Sequence, residues 1–130
     1  MKGGASSLPR APHVQAHEVL SLDDVITKLA TQTGMFKSDV RRVVVALRDL
    51  ILDEVAKGNA VRLYRLGIFV PRPRYMTEKT SDGKKRFVLD KSKLGLVFYP
   101  STPAATLKAK TDVEQLINTP YTGFKHNYVF

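Results

Sequence analysis

Lysine and arginine are the side chains in this sequence whose number and spacing could do chemistry, and that chemistry is the holding of an anion. Between Ala60 and Lys110 stand twelve of them: Arg62, Arg65, Arg72, Arg74, Lys79, Lys84, Lys85, Arg86, Lys91, Lys93, Lys108 and Lys110. Against them are three acids, Glu78, Asp82 and Asp90. The rest of the chain holds nine basic and nine acidic side chains, so the whole formal charge of +9 falls inside this one stretch. Charge concentrated in this way is the electrostatic footprint of a polyanion binder.

Other chemistries find little support. Cysteine is absent, which removes a disulfide framework, a thiol nucleophile and a thiolate metal site. The three histidines, His13, His17 and His126, lie in or beside the terminal tails. His13 and His17 are four apart, a metal-ligand spacing if helical, but Pro12 and the absence of Cys partners read them as solvated. No Gly-rich phosphate loop, ligand cluster or paired carboxylates stand out, so no enzyme, no metal and no cofactor is expected. A pI near 9.9 would also suit an anionic membrane surface. That requires an amphipathic basic helix, whereas these basic residues fall in a strand-like region, and no run approaches the roughly 20 apolar residues of a span. Nor do the first residues carry a signal-peptide core. A soluble, unexported chain with no membrane partner is expected, and nucleic acid is the favoured ligand.

The elements that must position the basic residues follow from pattern. Ser21-Leu22-Asp23-Asp24 is a capping-box-like helix start with acids on the positive end of the dipole. Leu22, Val25, Ile26 and Leu29 share one face, and Thr33-Gly34 ends the helix. A second helix is predicted from Ser38 to Lys57 on Val40, Val43, Val44, Leu47, Leu50, Ile51 and Val55. Val45 and Leu52 lie off that stripe, as expected for a helix packed on both its own chain and a partner subunit. Gly58-Asn59 closes it. Val61 to Arg65 alternates as a half-buried strand, and Leu66-Gly67 turns the chain into an extended run from Ile68 to Met76. Pro71 and Pro73 direct their missing N–H groups to one side, which marks an edge strand. Thr80-Ser81-Asp82-Gly83 is turn chemistry, and Lys85 to Asp90 resumes extended structure. The result is a long hairpin with too little apolar content for a core, an arm whose basic residues face solvent or ligand. Leu94 to Tyr99 forms a last strand. Ser101-Thr102-Pro103 then starts a third helix, running through about Lys110 and as far as Ile117 at its longest.

Residues 1–19 are rich in Gly, Ser, Ala and Pro and read as a flexible tail; 20–118 form one domain; 119–130 form a second tail. That tail, with Tyr121, Phe124, Tyr128 and Phe130, is unusually aromatic for a free terminus and suits docking.

The order helix, helix, two strands, basic arm, strand, helix resembles the HU/IHF family of DNA-bending proteins over about residues 20 to 110. Leu66-Gly67-Ile68-Phe69-Val70 is similar to the second half of that family's Gly-Phe-Gly-x-Phe turn, and Phe98-Tyr99-Pro100-Ser101 to its Phe-Lys-Pro-Gly approach to the last helix. Gly34 and Gly58 fall where the family ends its first two helices. The fold class is then α+β: two N-terminal helices, an antiparallel sheet with a long basic β-arm and a C-terminal helix. The resemblance implies an intertwined dimer, homodimeric or heterodimeric, with Val44, Leu47, Ile51, Phe69 and Phe98 at the subunit interface. It implies arms that reach round the minor groove of double-stranded DNA and insert a proline wedge. Arg62, Arg65, Arg72, Arg74, Lys79, Lys84, Lys85, Arg86, Lys91 and Lys93 are the expected DNA contacts. The sequence departs at the tip, where Thr80-Ser81-Asp82-Gly83-Lys84 replaces Arg-Asn-Pro and brings an acid that phosphate repels. Arg65 replaces a family glycine, and Tyr99 a basic residue.

Two functions follow. The first is a sequence-tolerant architectural, histone-like protein of the cytoplasmic nucleoid. The second is a structural subunit of a larger assembly such as a phage virion, docked to other proteins through both its tails, the aromatic segment Pro120 to Phe130 among them.

Overall fold

The computed structural model describes residues 16–118. The sequence expectations for His13, His126 and the aromatic segment from Pro120 to Phe130 lie outside the described residues. Within them the chain forms two compact units, one from 16–25 with 108–118 and the other Ile26–Leu107.

Helix α1, Leu22–Thr33, begins with the expected reciprocal cap. The Asp24 N–H donates to Ser21 Oγ at 3.2 Å, and the Ser21 N–H donates back to Asp24 Oδ2 at 3.0 Å. Gly34, at φ +75, then takes the left-handed position that ends it. His17, expected to be solvated, is exposed and also shares a hydrogen bond with the Thr111 hydroxyl at 3.1 Å.

Helix α2, Lys37–Ala56, is the body of the larger unit and packs on all three strands of the sheet. Its end satisfies the orphan carbonyls in a Schellman motif: Asn59 N–H donates to Glu54 O and Gly58 N–H to Val55 O, both at 2.9 Å. Among the described residues the buried apolar side chains are Ile26 of α1 with Val40, Ile51 and Val55 of α2. The single wide stripe read from the sequence divides. Val40, Ile51 and Val55 turn inward, whereas Val43, Leu47 and Leu50 form an adjoining exposed row and Leu52 lies beyond on the other flank. An exposed apolar flank does exist, as the periodicity predicts, but it consists chiefly of Val43, Leu47 and Leu50 rather than Val45 and Leu52.

The sheet is antiparallel, in the order β1-β2-β3. β1, Val61–Leu63, pairs only with Phe69 to Gly67 of β2, Gly67–Lys79. β3, Lys85–Pro100, pairs with β2 along the whole length of β2. Pro71 and Pro73 therefore lie just past the end of β1, where β2 has a neighbour on one side only. This is the free edge that the prolines require.

The expected third helix is interrupted. α3, Thr102–Ala105, is one turn, Thr106 is extended at φ −137 and ψ 115, and α4, Val113–Asn118, starts anew. Asp112 Oδ1 accepts from the Glu114 N–H at 3.1 Å, a local side-chain cap that starts α4 where a continuous helix would need Asp112 inside it.

The join between β1, β2 and α3 is tight. Leu66 N–H donates to Leu63 O at 3.1 Å, and Arg65 sits third in this turn at φ +55, a left-handed value that a glycine adopts without strain. Ser101 holds the turn from β3, its hydroxyl donating to Arg65 O at 2.5 Å and its N–H to Leu66 O at 2.9 Å. Buried Gly67 lies under Phe98, whose Cζ would be 2.6 Å from any added Cβ.

Two opposite outcomes are expected in urea unfolding. Arg65→Gly relieves the left-handed strain and raises stability by about 0.5–1 kcal/mol. Gly67→Ala forces Phe98 or the Tyr99 carbonyl aside and lowers stability by about 1–3 kcal/mol. A loss in the first variant, or none in the second, would contradict this account of the turn.

Candidate nucleic-acid interface

The basic residues fall into three groups along one hairpin. At its base, Arg62 of β1 and Arg65 of the turn line a cleft of about 250 Å³ with Tyr99 and Ser101. Both arginines are exposed.

In the middle, Arg72 and Arg74 lie over Gly95, which is the cross-strand partner of Arg72. A Cβ at Gly95 would come within 2.9 Å of Arg74 Cδ and 3.0 Å of Arg72 Cγ, so the missing side chain is the floor on which both aliphatic stems rest. Just beyond, the ladder slips. β3 carries Asp90, Lys91, Ser92 and Lys93 where β2 offers Arg74 alone, between the pairs Pro73–Leu94 and Tyr75–Leu89. The extra residues fold on themselves, with Ser92 N–H and hydroxyl donating to Asp90 Oδ1 at 2.9 and 2.6 Å. Those bonds, the hydroxyl's above all, hold the Asp90 carboxyl below its usual range, and nearby Lys93 adds to the effect. Such bulges bend a strand and re-aim its side chains. This one presents Lys91 and Lys93, with Arg72, round a cleft of about 680 Å³ walled by Pro71, Pro73, Leu89 and Leu94.

At the outer end, Lys79 stands directly opposite Lys85, and Lys84 follows the tip. Like charges opposite each other on a sheet are destabilising. The neighbouring rung differs. Arg86 is opposite Glu78 and forms an ion pair with it at 3.3 Å, so this arginine, expected to face a ligand, already has a partner. Both groups are well exposed, and a pair of that kind is worth at most about 1 kcal/mol and exchanges readily. Among the described residues, none of Arg62, Arg65, Arg72, Arg74, Lys79, Lys84, Lys85, Lys91 and Lys93 makes an ion pair.

The tip acid has a local task. Asp82 accepts the Thr80 hydroxyl and, through Oδ1, the Lys84 N–H at 3.1 Å, while Thr80 N–H donates to Lys84 O at 2.7 Å and Gly83 takes φ +82. The Thr80 hydroxyl first, and the Lys84 N–H second, hold the Asp82 carboxyl below its ordinary value. Asp82 thus closes the hairpin as a carboxylate, its ionised form stabilised by two donors.

Of the proposed interface residues, Phe69 and Phe98 are cross-strand partners with ring centroids 4.8 Å apart. Val44 is half-buried, Leu47 exposed, and Ile51 buried within its own chain. Sequence reasoning missed Gly95 as a seat for two arginines, because nothing in one strand shows what its neighbour lays across it. It also assigned no part to Tyr75 and Phe87, exposed on the arm.

With this geometry in place, comparison with known proteins is informative. The model of a family described as HU-HIG, an HU domain fused to wHTH, Ig or a glycine-rich motif, matches residues 2–115. The DNA-binding protein HU of Thermus thermophilus is 31% identical over 96 residues, covering 73% of this chain and 95% of that protein. An Anabaena HU–DNA cocrystal structure aligns with a TM-score of 0.50 at 18% identity, over 62% of this chain and 87% of that one. The shared fold is helices followed by an antiparallel three-stranded sheet and a C-terminal helix.

The tip makes a pH-dependent prediction. A depressed carboxyl contributes order that is complete above the pKa of an unstructured aspartate and is lost as pH falls through the lower folded value. The Asp82 carboxyl carbon and the Lys84 amide, followed by NMR, should therefore titrate together, with a midpoint below that of aspartate in a short peptide. Independent midpoints, or one at the ordinary value, would show that Asp82 does not close the tip.

Proposed function

This chain belongs to the HU-HIG family of HU domains, and from that premise we propose that it is a sequence-tolerant architectural protein that binds double-stranded DNA in the nucleoid. Its β-arms lie along the minor groove and phosphates. Lys79 opposite Lys85 is the observation that carries the reading, in an arm and base where seven further cations lack an ion-pair partner among the described residues. Among the described residues no acid forms an ion pair with either lysine, and a polyphosphate backbone would offset the repulsion.

Phosphate contacts give affinity and register without base information. The Gly95 seat fixes the stems of Arg72 and Arg74, the bulge presents Lys91 and Lys93, and the closed tip presents Lys84 and Lys85. Arg86 joins by exchanging Glu78 for phosphate. The work is binding rather than catalysis.

The reading includes a dimer, of identical or related subunits. Four buried apolar side chains are a thin core for a unit of this size, and the exposed row Val43, Leu47 and Leu50 supplies the surface that a second subunit would cover. The alternative role in a larger particle rests on the tails, which lie largely outside the described residues, and on the lack of a proline at the tip.

The test is binding to a short random-sequence duplex across a salt series, beside a variant with Arg72, Arg74, Lys79, Lys84 and Lys85 changed to Ala. Log affinity should fall linearly with log salt, at about 0.9 per phosphate neutralised, and the variant's slope should be shallower by several such steps. Equal slopes would remove the arm from the interface, and no binding at low salt would overturn the function.

A further inference from the structure

The two faces of the arm differ in charge and in exposed apolar surface. Directly opposed residues of an antiparallel pair share a face, as do alternate residues along a strand. One face of the outer arm therefore carries Tyr75 with Leu89, Thr77 with Phe87, and Lys79 with Lys85. The other carries Met76 with Val88 and Glu78 with Arg86. The second face is balanced by its ion pair, and the first bears two cations and no acid.

The first face is also where the arm leaves its rings uncovered. Phe87 is 81% exposed and Tyr75 61%, with Leu89 beside them also exposed. Scattered apolar side chains on a surface need no explanation. A contiguous row that runs into a pair of lysines is different, because its chemistry matches a ligand anionic at its rim and flat and apolar within. A DNA duplex met through a groove is such a ligand: phosphates border the groove and stacked bases lie between.

Resting on the DNA-binding reading above, we infer that the Tyr75–Phe87–Lys85 face is laid against the duplex and that Phe87 is the wedge that opens a base step. Phenylalanine is among the side chains that enter between base pairs from the minor groove, partly unstacking them and kinking the helix. The tip has no such group. Thr80, Ser81, Asp82 and Gly83 are polar or bare, and the Asp82 carboxylate is held by Thr80 and Lys84. Phe87 lies two residues from Lys85 on the same face, a separation of about 7 Å along a strand, so the lysine pair can hold the backbone while the ring enters. Thr77, opposite Phe87, is small enough to leave the ring clear.

The experiment uses the full chain and a random-sequence duplex several turns long, with a dye at each end and 2-aminopurine inside. Wild type is compared with Phe87→Ala, Phe87→Leu and, from the opposite face, Met76→Ala; circular dichroism checks that each exposed-site variant is folded. Wild type should bring the ends closer and brighten the 2-aminopurine. Phe87→Ala should lose both signals while its affinity falls by no more than about tenfold and its salt slope is unchanged, since phosphate contacts remain. Phe87→Leu should keep part of each signal and Met76→Ala all of it. Bending and unstacking retained by Phe87→Ala, lost equally by Met76→Ala, or absent from a wild type that binds would overturn the wedge. A wild type that fails to bind at low salt would overturn the DNA reading itself.

Discussion

The backbone ladder between β2 and β3 is the interaction on which the rest of the interface depends. Beyond Phe69 there is no β1 to support β2, and beyond Leu89 there is no buried side chain beneath either strand. What keeps Lys79, Lys84 and Lys85 together is the pairing of two backbones and the closure of the tip by Thr80, Asp82 and Lys84. An isolated two-stranded hairpin is marginal in water. Anchorage at the base answers this, where Gly67 admits Phe98 closely and Ser101 ties the Arg65 turn to the end of β3. The arm is thus a lever fixed at one end, and the strain tolerated at Arg65 lies at that fixed end.

Much of this was legible in the sequence, because local rules govern it. The Ser21–Asp24 cap, the glycines after both long helices, the free edge at Pro71 and Pro73 and the turn at Asp82-Gly83 each follow from the demands of a single residue type. Arg65 is instructive from the other side. The sequence shows only that an arginine stands where the HU/IHF resemblance expects a glycine, whereas the structure shows that this arginine holds a left-handed, glycine-type conformation at φ +55.

Illegible features depend on what a neighbouring strand or helix does. Periodicity gave α2 one broad apolar stripe, yet which residues turn inward is decided by the strands beneath, and Leu47 and Leu50 lie outside that contact. The slip between Pro73 and Tyr75 changes which residues face each other across the arm, and no alternation count within one strand contains it. The pairing of Arg86 with Glu78 follows from register alone, as does the coincidence of Phe87 with the lysine pair. The third helix departs from expectation more locally: Thr106 is already extended after one turn, and Asp112 caps a new start further on.

Register also resolves an apparent contradiction in the arm. Its cations repel one another, and salt would relieve that repulsion, yet salt equally weakens a polyanion's hold. The screening length is about 10 Å at 0.1 M salt, longer than the separation of opposed side chains on a sheet, so the Lys79–Lys85 repulsion survives where more distant pairs are damped. What is relieved on binding is therefore mostly short-range, and it is concentrated at the outermost rung. A ligand phosphate placed there removes a native-state penalty as well as adding an attraction, whereas one placed at Arg86 must first displace Glu78. The same number of positive charges spread evenly along the hairpin would lack this bias. If the arm binds DNA as proposed, placing the uncompensated pair at the end of the lever would direct the strongest gain to the outermost rung of the hairpin.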